Sequence, residues 1–133
     1  MSRRPEVCIL PVAGLSTRNL PATKALHKGF LTLHSLPIIQ YAVNACAEIG
    51  IKEVVFIYSD QSCKHLFETY FSPYPWLEKH LAEKNKQDLL KTIQEIIPAG
   101  MKFFQLANLQ KRHIQLFEVL NYLQIQLFEV YYN

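Results

Sequence analysis

The chain has 133 residues, of which 50% are hydrophobic and 19% are charged, and its formal net charge is +3 at pH 7. This length allows one domain at most, and the hydrophobic fraction excludes a chain that is disordered throughout. The small net charge, with basic residues scattered along the chain, does not indicate a nucleic-acid-binding protein.

The cysteines and the hydropathy pattern predict a soluble, cytoplasmic protein. Cys8, Cys46 and Cys63 have no paired spacing, which is typical of reduced thiols rather than of a disulfide framework or a zinc site. The first six residues are not followed by the apolar segment of a signal peptide. No stretch has the apolar length of a transmembrane helix, so no membrane partner is expected.

The first half of the chain alternates between a strand pattern and a helix pattern. Residues 7–12 form a continuous apolar run, typical of a strand buried on both faces, and residues 13–23 have the composition of a loop. Pro37 is placed to open a helix, and Gly50 is placed to end it. Glu53–Tyr58 has the pattern of a second buried strand.

The second half continues this alternation. Residues 64–71 predict a short helix with a capping loop at residues 59–62, and residues 77–97 predict one long helix. Residues 101–106 predict a third strand. Strands that alternate with helices imply parallel βαβ units, so the expected fold is a Rossmann-like α/β fragment with an exposed sheet edge. Its ligand would bind at the carboxyl ends of the strands.

The turn after the first predicted strand has the composition of a phosphate site. Gly14 lets the backbone close on an anion, and Arg18 and Lys24 supply positive charge nearby. The alternative is that the two cations are solvated surface charges and that Gly14 only closes a turn. Because the turn follows the carboxyl end of a strand, fold and motif indicate the same place.

This segment resembles a known family. PVAGLSTRNLPATKA at residues 11–25 is similar to the signature of bacterial UTP–glucose-1-phosphate uridylyltransferases, which are sugar-phosphate nucleotidyltransferases, and LPIIQYAVN at residues 36–44 continues the likeness. The likeness stops near Lys111. It therefore predicts a nucleotide-binding part at residues 1–111 and an unrelated tail at residues 112–133.

The resemblance implies that UTP and glucose 1-phosphate are the partners. The sugar phosphate would attack the α-phosphorus of UTP, giving UDP-glucose and pyrophosphate, a displacement that depends on positioning and charge neutralisation. It implies catalytic roles for Arg18 and Lys28. The nucleotide-binding residues that it implies are Ala13, Gly14, Leu15 and Lys24.

The sequence also departs from the family pattern. Ser16 replaces the second glycine of the turn, and His27 replaces a proline beside Lys28. The resemblance implies Mg²⁺ as cofactor, but the family's acidic turn, which holds the ion, has no counterpart after Lys111. No metal ligand is therefore assigned, and the chain is expected to be truncated and inactive alone.

The tail contains a repeat, because IQLFEV at residues 114–119 recurs at residues 125–130, about three helical turns later. It is either an added helix that covers the sheet edge or forms a homo-oligomer, or the product of rearranged or out-of-frame DNA. Three hypotheses for the whole chain follow. It is part of a uridylyltransferase, a non-catalytic nucleotide-binding or oligomer-partner protein, or a decayed gene product.

Overall fold

The computed structural model describes residues 4–14, 16–58 and 61–107, so the predicted tail, its repeat and Leu15 lie outside the described residues. The described residues form the strands β1 (Val7–Pro11), β2 (Thr32–Leu33), β3 (Leu36–Pro37), β4 (Glu53–Tyr58) and β5 (Lys102–Ala107). They also form the helices α1 (Ile38–Glu48), α2 (Gln61–Tyr70), α3 (Pro75–Glu83) and α4 (Gln87–Gln94).

A parallel three-stranded sheet with the order β1-β4-β5 confirms the predicted α/β class. Val7 lies opposite Glu53, and Glu53 lies opposite Lys102. The side chains of Val54–Tyr58 in the central strand are buried. The prediction that the first strand is buried on both faces is wrong, because β1 is an edge strand of the described sheet and its residues are at most half-buried.

Helix α1 begins and ends close to the predicted residues. It starts at Ile38, one residue after Pro37, and Gly50 has a φ of +89°, the left-handed conformation that glycine favours after a helix. Ile39, Val43 and Cys46 share its buried face. This face packs into the same core as the central strand.

The single long helix predicted over residues 77–97 is wrong, because the chain turns between α3 and α4. Asn85 has a φ of +54°, its N–H donates to the Ala82 carbonyl, and the Lys86 N–H donates to the Leu81 carbonyl at 2.9 Å. These two bonds close a Schellman motif, in which an asparagine tolerates the left-handed conformation. The helical spacing of the apolar residues continues across the turn, which is why the sequence did not indicate it.

Helix α2 begins at Gln61, three residues before its predicted start and inside the predicted capping loop at residues 59–62, whose first two residues lie outside the described residues. The short antiparallel hairpin of β2 and β3 was not predicted. Among the described residues, no helix has the length and apolarity needed to cross a membrane.

Aromatic side chains from four elements form the centre of the core. Phe67 from α2 packs against Phe56 of β4 and Phe30, with ring centroids 4.9 and 5.1 Å apart. Phe103 of β5 stacks on Phe56 and on Phe71. Such contacts stabilise a core beyond the burial of apolar area alone.

The thiols of Cys8 and Cys46 contact each other between β1 and α1. Burial raises the pKa of Cys46 from 9.0 to about 11, and a hydrogen bond to Cys8 and the charge of Cys8 act in the same direction. Burial also raises the pKa of Tyr58. Both groups therefore favour their neutral forms in the folded chain.

These pKa shifts predict a loss of stability at alkaline pH. Cys46 ionises more easily in the unfolded chain, so its contribution is fully present below pH 9 and is lost as the pH rises to about 11. We expect the free energy of unfolding in urea to fall over this range by on the order of 2 kcal/mol because of Cys46. The Cys46→Ala variant should lose less over the same range, and equal losses would contradict the prediction.

Candidate functional site

The loop after β1 is anchored at Val12, one residue past the end of the strand. The Val12 N–H donates to the carbonyl of Ile57 in the central strand at 2.7 Å, and the Val12 side chain is buried. Ala13 is half-buried and Gly14 is exposed, so the chain leaves the core within two residues. The predicted loop thus starts at the carboxyl end of a parallel strand, where α/β folds bind ligands.

Lys28 and Gly14 lie next to each other. A Cβ atom built on Gly14 would lie 3.6 Å from Lys28 Nζ, and apart from Gly14 and its two chain neighbours no other described residue has an atom within 4 Å of it. Lys28 opens a 3₁₀ turn at Lys28–Phe30 and its side chain is exposed. The structure therefore brings two of the predicted site residues together: the flexible cation Lys28 and Gly14, which has no side chain.

Arg18 and Lys24 lie on two further 3₁₀ turns, Thr17–Asn19 and Ala22–Lys24, and both side chains are exposed. The Thr23 hydroxyl donates to the Ser16 carbonyl at 2.8 Å and so ties the second turn to the first. Neither of these two exposed cations has an atom within 4 Å of a Cβ built on Gly14. Leu15, the remaining predicted residue, lies outside the described residues.

The loop carries positive charge without a neutralising carboxylate in its own sequence. Between Glu6 and Glu48 the chain has no Asp or Glu, whereas Arg18, Lys24 and Lys28 all fall in this interval. In the part of the chain that the structure describes, none of these three cations forms an ion pair. They are therefore available to an anionic ligand.

His27 is a residue of this site that sequence reasoning missed. Its Nδ1 accepts a hydrogen bond from the Gly29 N–H at 3.0 Å, and its Nε2 lies 2.7 Å from the Val12 carbonyl oxygen. Because Nδ1 accepts, a neutral ring carries its proton on Nε2, which then donates to Val12. The available signal was its position just before Lys28, where a side chain can cap the following turn.

The loop at residues 12–30 contains no carboxylate that could hold Mg²⁺, the cofactor that the resemblance implies. Among residues 4–14, 16–58 and 61–107, no three His, Cys, Asp or Glu side chains come together in a group that could hold a metal ion. Hard cations such as Mg²⁺ take oxygen ligands, above all carboxylates, and the loop sequence has none. The groups that the loop itself offers to a ligand are its cations and its backbone N–H groups.

Ser16, which stands where the family has a glycine, has a φ of +55° and a ψ of +37°. This left-handed conformation costs a residue with a Cβ about 1–2 kcal/mol, a cost that glycine does not have. Glycine loses more conformational entropy on folding, which offsets part of this gain in stability. We expect Ser16→Gly to raise the free energy of unfolding by up to about 1 kcal/mol. A urea titration measures this change, with Ser72→Gly on the exposed surface as the control, and a destabilised Ser16→Gly variant would contradict the prediction.

A groove of about 560 Å³ lies elsewhere, between α2 and β5. Phe71, Met101 and Phe103 contribute to its lining, and none of the predicted site residues does. The candidate site is thus an open loop at the sheet edge rather than this groove.

Comparison with known proteins gives one consistent set of relatives. The curated UTP–glucose-1-phosphate uridylyltransferase of Haemophilus ducreyi is 47% identical over 90 residues, which are 68% of this chain and 30% of that protein. No protein-family model matches the chain.

Solved structures give the same answer for the fold. A UDP-glucose pyrophosphorylase from Acinetobacter baumannii matches with a TM-score of 0.71 and 35% identity, over 81% of this chain and 37% of that one. A UTP-bound UGPase from the same organism matches with a TM-score of 0.69 and 33% identity, over 78% of this chain and 36% of that one. The chain spans about 30% of the length of the first curated relative. In sequence and in fold it is therefore similar to about a third of a UTP–glucose-1-phosphate uridylyltransferase, and the resemblance inferred from its motifs is confirmed.

Proposed function

We propose that this chain binds UTP through the loop at residues 12–30 and corresponds to a nucleotide-binding part of a UTP–glucose-1-phosphate uridylyltransferase. The observation that carries the proposal is the position of Lys28 Nζ, 3.6 Å from the place where a side chain would start on Gly14. A cation beside an open backbone segment provides both charge and hydrogen-bond donors for phosphate oxygens. A solved relative is described as UTP-bound, which supports this choice of nucleotide.

In the proposed reaction the loop cations act on the phosphates of UTP. Lys28 would neutralise charge as a flexible ammonium group beside Gly14, and Arg18 would bind the leaving phosphates through its planar guanidinium group. Ala13, Gly14, Leu15 and Lys24 are the proposed nucleotide-binding residues around them. Such a site accelerates phosphoryl displacement by holding the groups in line and stabilising negative charge, without a covalent step on the protein.

The second candidate function is nucleotide binding without uridylyl transfer. It is favoured by the loop sequence at residues 12–30, which has no carboxylate, and by the described residues, which include no group of three or more His, Cys, Asp or Glu that could hold a metal ion. The charge on the triphosphate would then be met only by the loop cations and by ions that the nucleotide brings from solution. This candidate keeps the same UTP site and differs only in turnover.

A UTP titration of the 133-residue chain by calorimetry, with and without Mg²⁺, tests the shared part of both candidates. We expect saturable binding of UTP and a weaker affinity in the Arg18→Ala variant, because this variant removes an exposed cation from the loop. The matched control is Lys84→Ala, which removes one positive charge at the end of α3. Absence of UTP binding, or equal weakening by both variants, would overturn the proposal.

Pyrophosphate release from UTP and glucose 1-phosphate separates the two candidates. Release that depends on both substrates and falls in the Arg18→Ala variant supports uridylyl transfer by this chain. Binding of UTP with no release at high protein concentration supports a non-catalytic nucleotide-binding protein.

A further inference from the structure

His27 connects two segments of the loop that are distant in sequence. Its Nε2–H donates to the Val12 carbonyl at 2.7 Å, and its Nδ1 accepts from the Gly29 N–H at 3.0 Å. Val12 is itself fixed to the central strand through Ile57. The imidazole therefore joins the end of β1 to the turn that presents Lys28.

The bond to Gly29 lies within the turn that carries Lys28. His27 is the N-cap residue of Lys28–Phe30, and its side chain provides the capping acceptor. At the other end of the turn, the Lys28 carbonyl accepts a hydrogen bond from the Leu31 N–H at 3.1 Å. Both ends of the turn are thus held, and only the long side chain of Lys28 is left to reach a ligand.

The imidazole is also clamped in place by its neighbours. Its ring meets Phe67 edge to face, with centroids 5.1 Å apart and an interplanar angle of 75°. Gly29 is buried, and a Cβ on it would lie 3.1 Å from His27 Nδ1 and 3.6 Å from the Ile39 Cβ. Glycine at this position lets the ring approach the backbone closely enough to cap it.

We propose that His27 is a positioning residue for the UTP phosphates and acts through Lys28. By tying the Lys28 turn to Val12, it keeps the backbone of Lys28 close to Gly14 before the nucleotide arrives, so that less of the loop has to be ordered on binding. The proposal rests on the proposed function, since it concerns the same UTP site. It assigns a role to a histidine that stands where the resembling family has a proline.

Two variants of His27 separate its hydrogen bonds from its packing. His27→Asn keeps a capping oxygen for the Gly29 N–H but cannot reach Val12, whereas His27→Leu keeps apolar contact with Phe67 and makes neither bond. We expect His27→Leu to weaken UTP binding about tenfold and His27→Asn to weaken it less. If packing alone mattered, the order of the two variants would be reversed, which would overturn the proposal.

A double-mutant cycle with Lys28→Met tests whether His27 acts through Lys28. In the Lys28→Met background, His27→Leu should change UTP affinity by less than about twofold, because the cation that it positions is already gone. Equal effects in both backgrounds would overturn the proposal. Thermal melts of every variant verify that the folded fraction is the same in each titration.

The imidazole itself gives a readout that does not depend on UTP. In a long-range ¹H–¹⁵N spectrum of the unmutated chain, the neutral form of the His27 ring should be the tautomer that carries its proton on Nε2. The opposite tautomer would overturn the proposal. If the unmutated chain binds no UTP, the proposed function fails and this proposal fails with it, whereas normal UTP binding by His27→Leu overturns this proposal alone.

Discussion

Lys28→Met is expected to weaken UTP binding by between about tenfold and about one hundredfold. Hydrogen bonds to charged groups contribute about 1.5–3 kcal/mol each, and methionine keeps much of the lysine's apolar length while removing the ammonium group. Because Lys28 is exposed and forms no ion pair in the described residues, the variant should leave folding unaffected. Calorimetric titration with UTP measures the affinity, and urea unfolding measures the stability.

The matched control for this variant is Lys84→Met, which makes the same chemical change at the end of α3. It should change UTP affinity by less than about twofold, since Lys84 is an exposed residue outside the loop at residues 12–30 and salt weakens the action of exposed charges that do not contact the ligand. Similar losses in both variants would indicate a general effect of net charge and would contradict a specific role for Lys28.

Phe67→Ala is expected to lower the free energy of unfolding by roughly 3–5 kcal/mol, the usual cost of removing a fully buried phenyl group from a core. Phe67 is 0% exposed and contacts the rings of Phe56, Phe30 and His27. Urea unfolding followed by circular dichroism measures the loss. Since a domain of this kind is stable by only about 5–15 kcal/mol, Phe67→Leu gives a milder test, with an expected loss of about 1 kcal/mol.

Trp76→Ala serves as the control for Phe67→Ala, because Trp76 is 66% exposed and, among the described residues, its ring contacts are a stacked pair with His80 and a tilted pair with Tyr74. Its removal should cost less than about 1 kcal/mol. A loss as large as that of Phe67→Ala would show that the aromatic contacts around β4 do not dominate the core.

The sheet could be predicted from local sequence, whereas the helical segments after it could be predicted only in part. Residues 7–12 and residues 54–58 are unbroken apolar runs, and such runs have few alternatives to a buried or half-buried strand. The turn at Asn85 could not be predicted, because one residue in a left-handed conformation leaves the apolar spacing on either side unchanged. The edge position of β1 could not be predicted either, because it depends on which strands pair.

The candidate site, like the fold, could be predicted from the sequence only in part. Gly14 and Lys28 were identified because the sequence motif contains them, and the structure shows that they are neighbours. His27 was not identified, because its role depends on a backbone carbonyl fifteen residues away and on the ring of Phe67, forty residues further along the chain. A sequence pattern shows which chemical groups are present, but contacts of this kind arise only when distant segments meet.

The strand pairing has a consequence for how the chain folds. Val7 pairs with Glu53, and Glu53 pairs with Lys102, so each side of the sheet closes a loop of more than forty residues. In sheets built from such distant segments, the chain loses conformational entropy on closing the loops before it gains contacts. Such sheets therefore fold more slowly than helical bundles of similar size. Val12 can reach Ile57 only after β1 has met β4, so the proposed nucleotide site should form together with the sheet during refolding and not before it.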